Sequence, residues 1–139
     1  MYAVEDILRF FVVDKPNALI VDFFAGSGTT LHAVNLLNAE DNGQRRCIIV
    51  TNNEVSDAES KSLTAQGYHQ GDDAWERLGI ARYITWPRTV CSIRGKDING
   101  NPLEGKYLGN DLLMADGFKT NAAFFKLGFL DKNLDLHSL

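Results

Sequence analysis

Two rhythms of hydrophobic and polar positions alternate along the first fifty residues. Val4, Ile7, Leu8 and Phe11 recur at i, i+3, i+4 and i+7, one stripe of a helix, which predicts an amphipathic helix over residues 3–12. Lys15-Pro16-Asn17 breaks that pattern. Ala18-Leu19-Ile20-Val21 then runs without polar alternation, as an interior parallel strand covered on both faces would. The turn Phe24-Ala25-Gly26-Ser27-Gly28 follows, and Thr29 to Ala39 returns to helical spacing with Leu31, Val34, Leu36 and Leu37 on its buried side. Asp41-Asn42-Gly43 ends that helix by turn chemistry, and Arg46 to Thr51, with the core Cys47-Ile48-Ile49-Val50, reads as a second buried strand. Helix, strand, helix, strand predicts an α/β fold with a parallel sheet and right-handed crossovers.

Beyond residue 54 the signals shorten. Ser56 with Glu59 three residues on is a capping box and predicts a helix over residues 56–66. Residues 72–80 read as another short helix, Arg82 to Thr85 as a third strand, and Pro87 as the first turn of a helix reaching Ile93. After Gly95, Asn99-Gly100-Asn101-Pro102 lies between segments that can pair as a β-hairpin. The phenylalanine-rich segment 118–130 (Phe118, Phe124, Phe125, Phe129) reads as a strand packed on the sheet. There are no internal repeats and no low-complexity linker, so residues 1–139 are expected to form one domain.

Composition narrows the class without naming a function. A chain of 139 residues with 45% hydrophobic and 23% charged residues suits one globular domain and argues against disorder. The longest aliphatic run, Ala18–Val21, is far short of the roughly 20 residues of a membrane span. The opening Met1-Tyr2-Ala3-Val4-Glu5-Asp6 lacks the basic start and apolar run of a secretory signal. Cys47 and Cys91 read best as two buried thiols of a cytoplasmic protein, although one disulfide is formally open. His32, His69 and His137 show no metal spacing, and His32 is expected on a helix surface.

The net charge of −4 is unevenly spread: −2 over residues 1–39, −5 over 40–76 and +3 over 77–139. Residues 77–96 hold Arg77, Arg82, Arg88, Arg94 and Lys96 without an acid, interleaved with Tyr83 and Trp86. Such a stretch can follow a phosphate backbone and stack on bases. The plainer reading is a set of solvated arginines around a strand and a helix.

The chemistry is concentrated in Val21-Asp22-Phe23-Phe24-Ala25-Gly26-Ser27-Gly28-Thr29-Thr30, between a strand and a helix. Ligands of open α/β sheets bind at such a place, beyond the strands' carboxyl ends. Glycines let a backbone come close to a ligand, and the free N–H groups and positive dipole end of the next helix point there too. A phosphate-cradling P-loop is excluded because Thr29 and Thr30, not Lys-Ser/Thr, follow Gly28. The dinucleotide fingerprint fails because Leu31 stands where its third glycine belongs. An S-adenosylmethionine loop fits better: Asp22 at the strand end can hold the amino-acid part of the cofactor, with the glycine turn beside it. The alternative is that Asp22 merely caps the turn.

Asp22-Phe23-Phe24-Ala25-Gly26-Ser27-Gly28-Thr29-Thr30 resembles the D-x-F-x-G-S-G-T-T cofactor motif of amino-methylating DNA methyltransferases. The preceding helix of residues 4–12 resembles the end of the family's upstream cofactor motif, an order characteristic of the β class. Arg45-Arg46-Cys47-Ile48-Ile49-Val50-Thr51-Asn52-Asn53-Glu54 resembles the next strand in modification (Mod) subunits of type III restriction systems. So do Gly79-Ile80-Ala81-Arg82, Trp86-Pro87-Arg88, Ala115-Asp116-Gly117-Phe118-Lys119-Thr120-Asn121 and Phe124-Phe125-Lys126-Leu127. The likeness covers most of the chain and is most specific at residues 18–54.

The resemblance implies a Rossmann-like methyltransferase sheet, partial, with a C-terminal β-hairpin extension. It implies transfer of a methyl group from S-adenosylmethionine to an exocyclic amino nitrogen of a flipped base, adenine N6 by likeness to type III systems. It implies DNA as partner through the parent enzyme, and no membrane. Cofactor contacts fall on Asp22, Phe23, Phe24, Ala25, Gly26, Ser27, Gly28, Thr29 and Thr30. Many methyltransferases hold the ribose with an acid ending the second strand; Thr51 stands there, leaving Asn52, Asn53 or Glu54 as substitutes. The family's catalytic Asp/Asn/Ser-Pro-Pro-Tyr/Phe/Trp tetrapeptide has no counterpart, because Pro16, Pro87 and Pro102 are never adjacent. No catalytic residue is therefore assigned. Residues 1–139 are expected to be the C-terminal, S-adenosylmethionine-binding part of such an enzyme, without its catalytic and target-recognition parts. A missing N-terminal part, a second subunit or a homo-oligomer would complete it. The alternatives are a non-catalytic remnant or split-subunit interaction module of the same fold, or a fragment of an N4-cytosine methyltransferase.

Overall fold

The computed structural model describes residues 1–127. Its elements in chain order are α1 (Tyr2–Val12), β1 (Leu19–Asp22), α2 (Thr29–Asp41), β2 (Arg46–Ile49), α3 (Asp57–Ala65), α4 (Asp73–Glu76) and α5 (Trp86–Arg94). A π-turn, Ala81–Thr85, feeds directly into α5, and a 3-10 turn spans Met114–Asp116. β1 and β2 are parallel, with Leu19 opposite Arg46 and Asp22 opposite Ile49. The α/β order expected from the patterning is thus present, as a two-stranded sheet with α2 as its crossover. Among the described residues no helix is long and apolar enough to cross a membrane.

α2 is the centre of the molecule. It packs on α1, β2 and α5, and Ala33, Val34, Leu36 and Leu37 are at most 1% exposed. A helix buried on several sides needs apolar residues around its circumference rather than on one stripe. Leu36 continues into a second cluster with buried Tyr107 and Phe118, flanked by Tyr2, Leu112 and Met114. The segment after α5 therefore folds back on α2 and α1. α2 ends at Asn42 in the left-handed conformation, φ 56°, as the Asp41-Asn42-Gly43 turn required.

Several expectations are corrected. The strands are covered on one face only: Ile20, Asp22, Cys47 and Ile49 are half-buried, while Leu19, Val21, Ile48 and Val50 are 37–51% exposed. Packing on the sheet comes from α2, which lies on β2, so an unbroken apolar run does not here mean two covered faces. On α1, Ile7 and Phe11 are exposed, whereas Glu5 is 4% exposed. A polar link to α2 is made by Arg9, whose guanidinium bonds both the Glu5 and Glu40 carboxylates.

Arg82–Thr85 is not a strand but part of the π-turn. The Asn53 side-chain oxygen accepts the N–H groups of Ala81 and Arg82 (3.1 and 3.3 Å) and caps that turn. Pro87 then sits in the first turn of α5, as expected. The β-hairpin after Gly95 reduces to two isolated antiparallel bridges, Lys96 with Pro102 and Lys106 with Leu113. The glycine-rich turns between them leave too few consecutive residues for a ladder. Residues 118–127 form no strand: Phe118 is buried, but Phe124, Phe125 and Leu127 are exposed and unpaired with the sheet. The remainder of that expectation, with Phe129, lies outside the described residues. His32 is not on the surface; it packs edge-on against Tyr107 and Phe118. The Ser56 cap stands, with Ser56 Oγ accepting the Glu59 N–H at 3.4 Å, but the Glu59 carboxylate takes the Ser56 hydroxyl at 2.6 Å rather than completing the box on the Ser56 N–H.

Candidate functional site

The loop from Asp22 to Thr30 leaves the carboxyl end of β1 and enters α2. Asp22 shapes its first half: one carboxylate oxygen accepts the Phe24 N–H (2.9 Å) and the other accepts the Thr30 hydroxyl (2.5 Å). The Ala25 N–H donates to the Val50 carbonyl at 3.1 Å, pinning the loop to the residue after β2. Gly26 and Gly28 have φ values of 48° and 79°, left-handed states that side-chain-bearing residues avoid. At Gly28 space is limiting as well, since a Cβ would stand 3.0 Å from Thr85 Cγ2.

A cleft of about 250 Å³ opens beside this loop. Phe23, Phe24 and Gly26 form one wall, and Val50, Thr51, Asn52 and Glu54, the chain leaving β2, form the other, with Ile80 alongside. It lies where the carboxyl ends of both parallel strands point. Phe23 and Phe24 are 67% and 92% exposed, aromatic faces held in solvent by the turn. A larger hollow of about 630 Å³ runs along Asp97, Asn101 and Leu103. There Asp97 is already occupied by the Asn99 and Asn101 N–H groups of its own turn.

The residues singled out in the sequence divide by position. Phe23, Phe24, Gly26 and Glu54 line the cleft. Asp22, Ala25, Ser27, Gly28, Thr29 and Thr30 shape the loop behind it. Asn53 is turned away: its amide nitrogen donates to the Glu76 carbonyl (2.7 Å) and carboxylate (2.9 Å), and its oxygen caps the π-turn. Ile80, Thr85 and Arg88 carry no site role in the sequence reading. The Thr85 hydroxyl donates to the Gly26 carbonyl (2.5 Å), and Arg88 Nη1 donates to Ser27 Oγ (3.1 Å) and Thr29 Oγ1 (3.3 Å). The sequence marked Ile80 and Arg88 only through the family likeness and, for Arg88, the basic stretch, and Thr85 only as a strand end, since pairing of Thr85 and Arg88 with residues about sixty positions away leaves no local pattern.

Two perturbed groups border the site. Burial, then the Asp22 carboxylate, pushes the Cys47 thiol up to about 11, so it is an inert neighbour rather than a nucleophile. Burial, then the Arg88 charge, pushes His32 down to about 4. The basic stretch is partly neutralised: Arg77 and Arg82 both pair with Asp73, at 2.5 and 3.7 Å.

Comparison with known proteins finds no matching family model. The chain is 59% identical over 39 residues (28% of its length) to the type II methyltransferase M.KpnI of Klebsiella pneumoniae. It is 46% identical over 63 residues (44%) to the Mod subunit of the type III restriction-modification enzyme StyLTI of Salmonella typhimurium. It is 44% identical over 54 residues (39%) to the Mod subunit of the type III restriction-modification enzyme EcoPI of Escherichia phage P1. These matches span 9%, 9% and 8% of the relatives' own lengths. The chain is thus similar, over part of its length, to a type II methyltransferase and to the Mod subunits of type III restriction-modification enzymes, as the sequence resemblance implied.

Proposed function

We propose that this chain is the S-adenosylmethionine-binding part of a DNA methyltransferase of a restriction-modification system, built on a partial Rossmann-like sheet and acting in the cytoplasm. The observation that carries this reading is the position of the Asp22–Thr30 run, on a strand–turn–helix beside a cleft at the ends of two parallel strands. The lining suits the cofactor. Phe23 and Phe24 offer apolar faces, Glu54 and the Asn52 amide offer polar partners for a ribose, and Gly26 adds no side chain between backbone and ligand. Asp22 has used two acceptor sites on the loop, and an ionised carboxylate has about four, so it can also receive the cofactor's cationic amino group. The volume is below the roughly 300 Å³ where small-molecule pockets usually begin, which fits a cleft holding part of the ligand.

The bound cofactor supplies an electrophilic methyl group on a sulfonium. This chain's residues bind and orient it; the tetrapeptide that would hold the target base is not among residues 1–139. Adenine N6 is the favoured target because two of the relatives are Mod subunits of type III enzymes.

Titration calorimetry with S-adenosylhomocysteine tests the reading. The wild-type chain is expected to bind, and Asp22→Ala and Glu54→Gln are each expected to weaken binding about tenfold, the loss of one charge-assisted contact. Equal binding by wild type and Asp22→Ala would remove Asp22 from the site. Absence of binding by the wild-type chain would sink the reading. A second reading, a non-catalytic interaction module of the same fold, is favoured by the bare sheet face of Leu19, Val21, Ile48 and Val50. It calls for association without cofactor affinity.

A further inference from the structure

We infer that the π-turn and the start of α5 are a positioning device for the cleft, with Thr85 as its central residue. This rests on the cofactor reading of the loop and adds residues that do not line the cleft. Both walls converge on the segment Gly79–Thr85. On the loop side, the Thr85 hydroxyl donates mainly to the Gly26 carbonyl at 2.5 Å, with the Ile80 carbonyl of its own turn at 3.1 Å, while its methyl group sits against Gly28. On the β2 side, Asn53, between cleft-lining Asn52 and Glu54, caps the π-turn through Ala81 and Arg82. Gly79 admits that side chain, because a Cβ there would come within 2.2 Å of Asn53 Cγ. The Glu54 carbonyl also accepts the Ile80 N–H at 2.8 Å.

The physical consequence is preorganisation. A glycine loop samples many backbone states, and ordering it on binding lowers affinity. Thr85 selects one state of Gly26 before any ligand arrives, and Arg88 adds donors to Ser27 and Thr29 on the same side. Thr85 is 6% exposed, so it acts through Gly26 rather than by touching ligand. A five-residue π-turn inserted before an α-helix is a costly local geometry that recurs at functional sites. Here it delivers Thr85 to the loop.

Two substitutions separate the hydroxyl from the packing. Thr85→Val keeps the methyl against Gly28 and removes the donor; Thr85→Ser keeps the donor and removes the methyl. Amide hydrogen exchange of the loop needs no ligand, and S-adenosylhomocysteine titration reads its effect on binding. In Thr85→Val, exchange at Gly28 and its neighbours is expected to rise about fivefold and affinity to fall about fivefold, one net hydrogen bond. Thr85→Ser should restore both to near wild type, and the amides of Leu36 and Leu37 in the core of α2 should exchange unchanged in both variants. Unchanged loop exchange in Thr85→Val, or equal damage by Thr85→Ser, would overturn the inference. Faster loop exchange in Thr85→Val, with no titration signal even from wild type, would uphold the positioning role and discard the cofactor.

Discussion

Asp22 illustrates how a side chain that shapes a loop can keep acceptor capacity to spare. Capping the turn and holding a ligand are not exclusive, because the two bonds it accepts from Phe24 and Thr30 do not exhaust the acceptor sites of a carboxylate. His32 is the contrary case, a polar residue drawn inside by its neighbours. Its Nε2 lies 3.0 Å from the Tyr107 hydroxyl, and among the described residues its Nδ1 is buried without a partner. Charging it there is unfavourable, so its pKa falls to about 4. The unfolded chain binds that proton near pH 6.5, the folded chain only near 4, so between these values the unfolded state holds more protons. Stability contributed by neutral His32 is thus fully present above pH 6.5 and is lost as pH falls toward 4. Thermal denaturation across this window should show a smaller loss on acidification for His32→Gln than for wild type. Parallel profiles would place the titration elsewhere. The carboxyl of Glu5, raised by burial, acts with the opposite sign and cancels in the comparison.

At the scale of elements, a single buried cation joins two helices that the hydrophobic pattern treated separately. The Arg45 side chain is fully buried and donates to the Val12 carbonyl (2.8 and 3.1 Å), which ends α1, and to Asp41 (2.9 Å), which ends α2. That partner holds the Asp41 carboxyl below its ordinary range. Arg45→Ala would leave two helix ends with unmet acceptors, and is expected to cost about 3 kcal/mol in urea unfolding. A loss under about 1 kcal/mol would mean that water replaces the guanidinium freely. Helices α1, α3 and α5 were legible because stripes, capping boxes and an early proline are local signals. The burial of Glu5 and Arg45 was not, since Arg45 reaches Val12, and Arg9, the partner of Glu5, reaches Glu40, each more than thirty residues away. The four-residue run Arg82–Thr85 carries no period long enough to distinguish strand from turn.

For the whole molecule, the same distinction explains what the sequence disclosed of the site. The loop Asp22–Thr30 was readable because one strand end, two glycines and one helix start specify it locally. Its supports, Thr85 and Arg88, and the engagement of Asn53 required the chain's return across the cleft. The covering of the sheet was misjudged for a related reason: apolar composition reports that a strand seeks burial, not which element supplies it. Val21 and Ile48 are direct neighbours across β1 and β2, exposed on the same face with Leu19 and Val50. A contiguous apolar face beside strand edges that are unpaired among the described residues favours association. Sedimentation at rising concentration should reveal larger species for the wild-type chain. Replacing Val21 and Ile48 together by Thr keeps the β-branched shape that suits a strand while making the face polar. That variant should remain monomeric to higher concentration, with S-adenosylhomocysteine affinity intact because neither side chain lines the cleft. Equal association by both proteins would show that the bare face is not what drives it and would direct attention to the exposed Phe10 and Phe11 of α1.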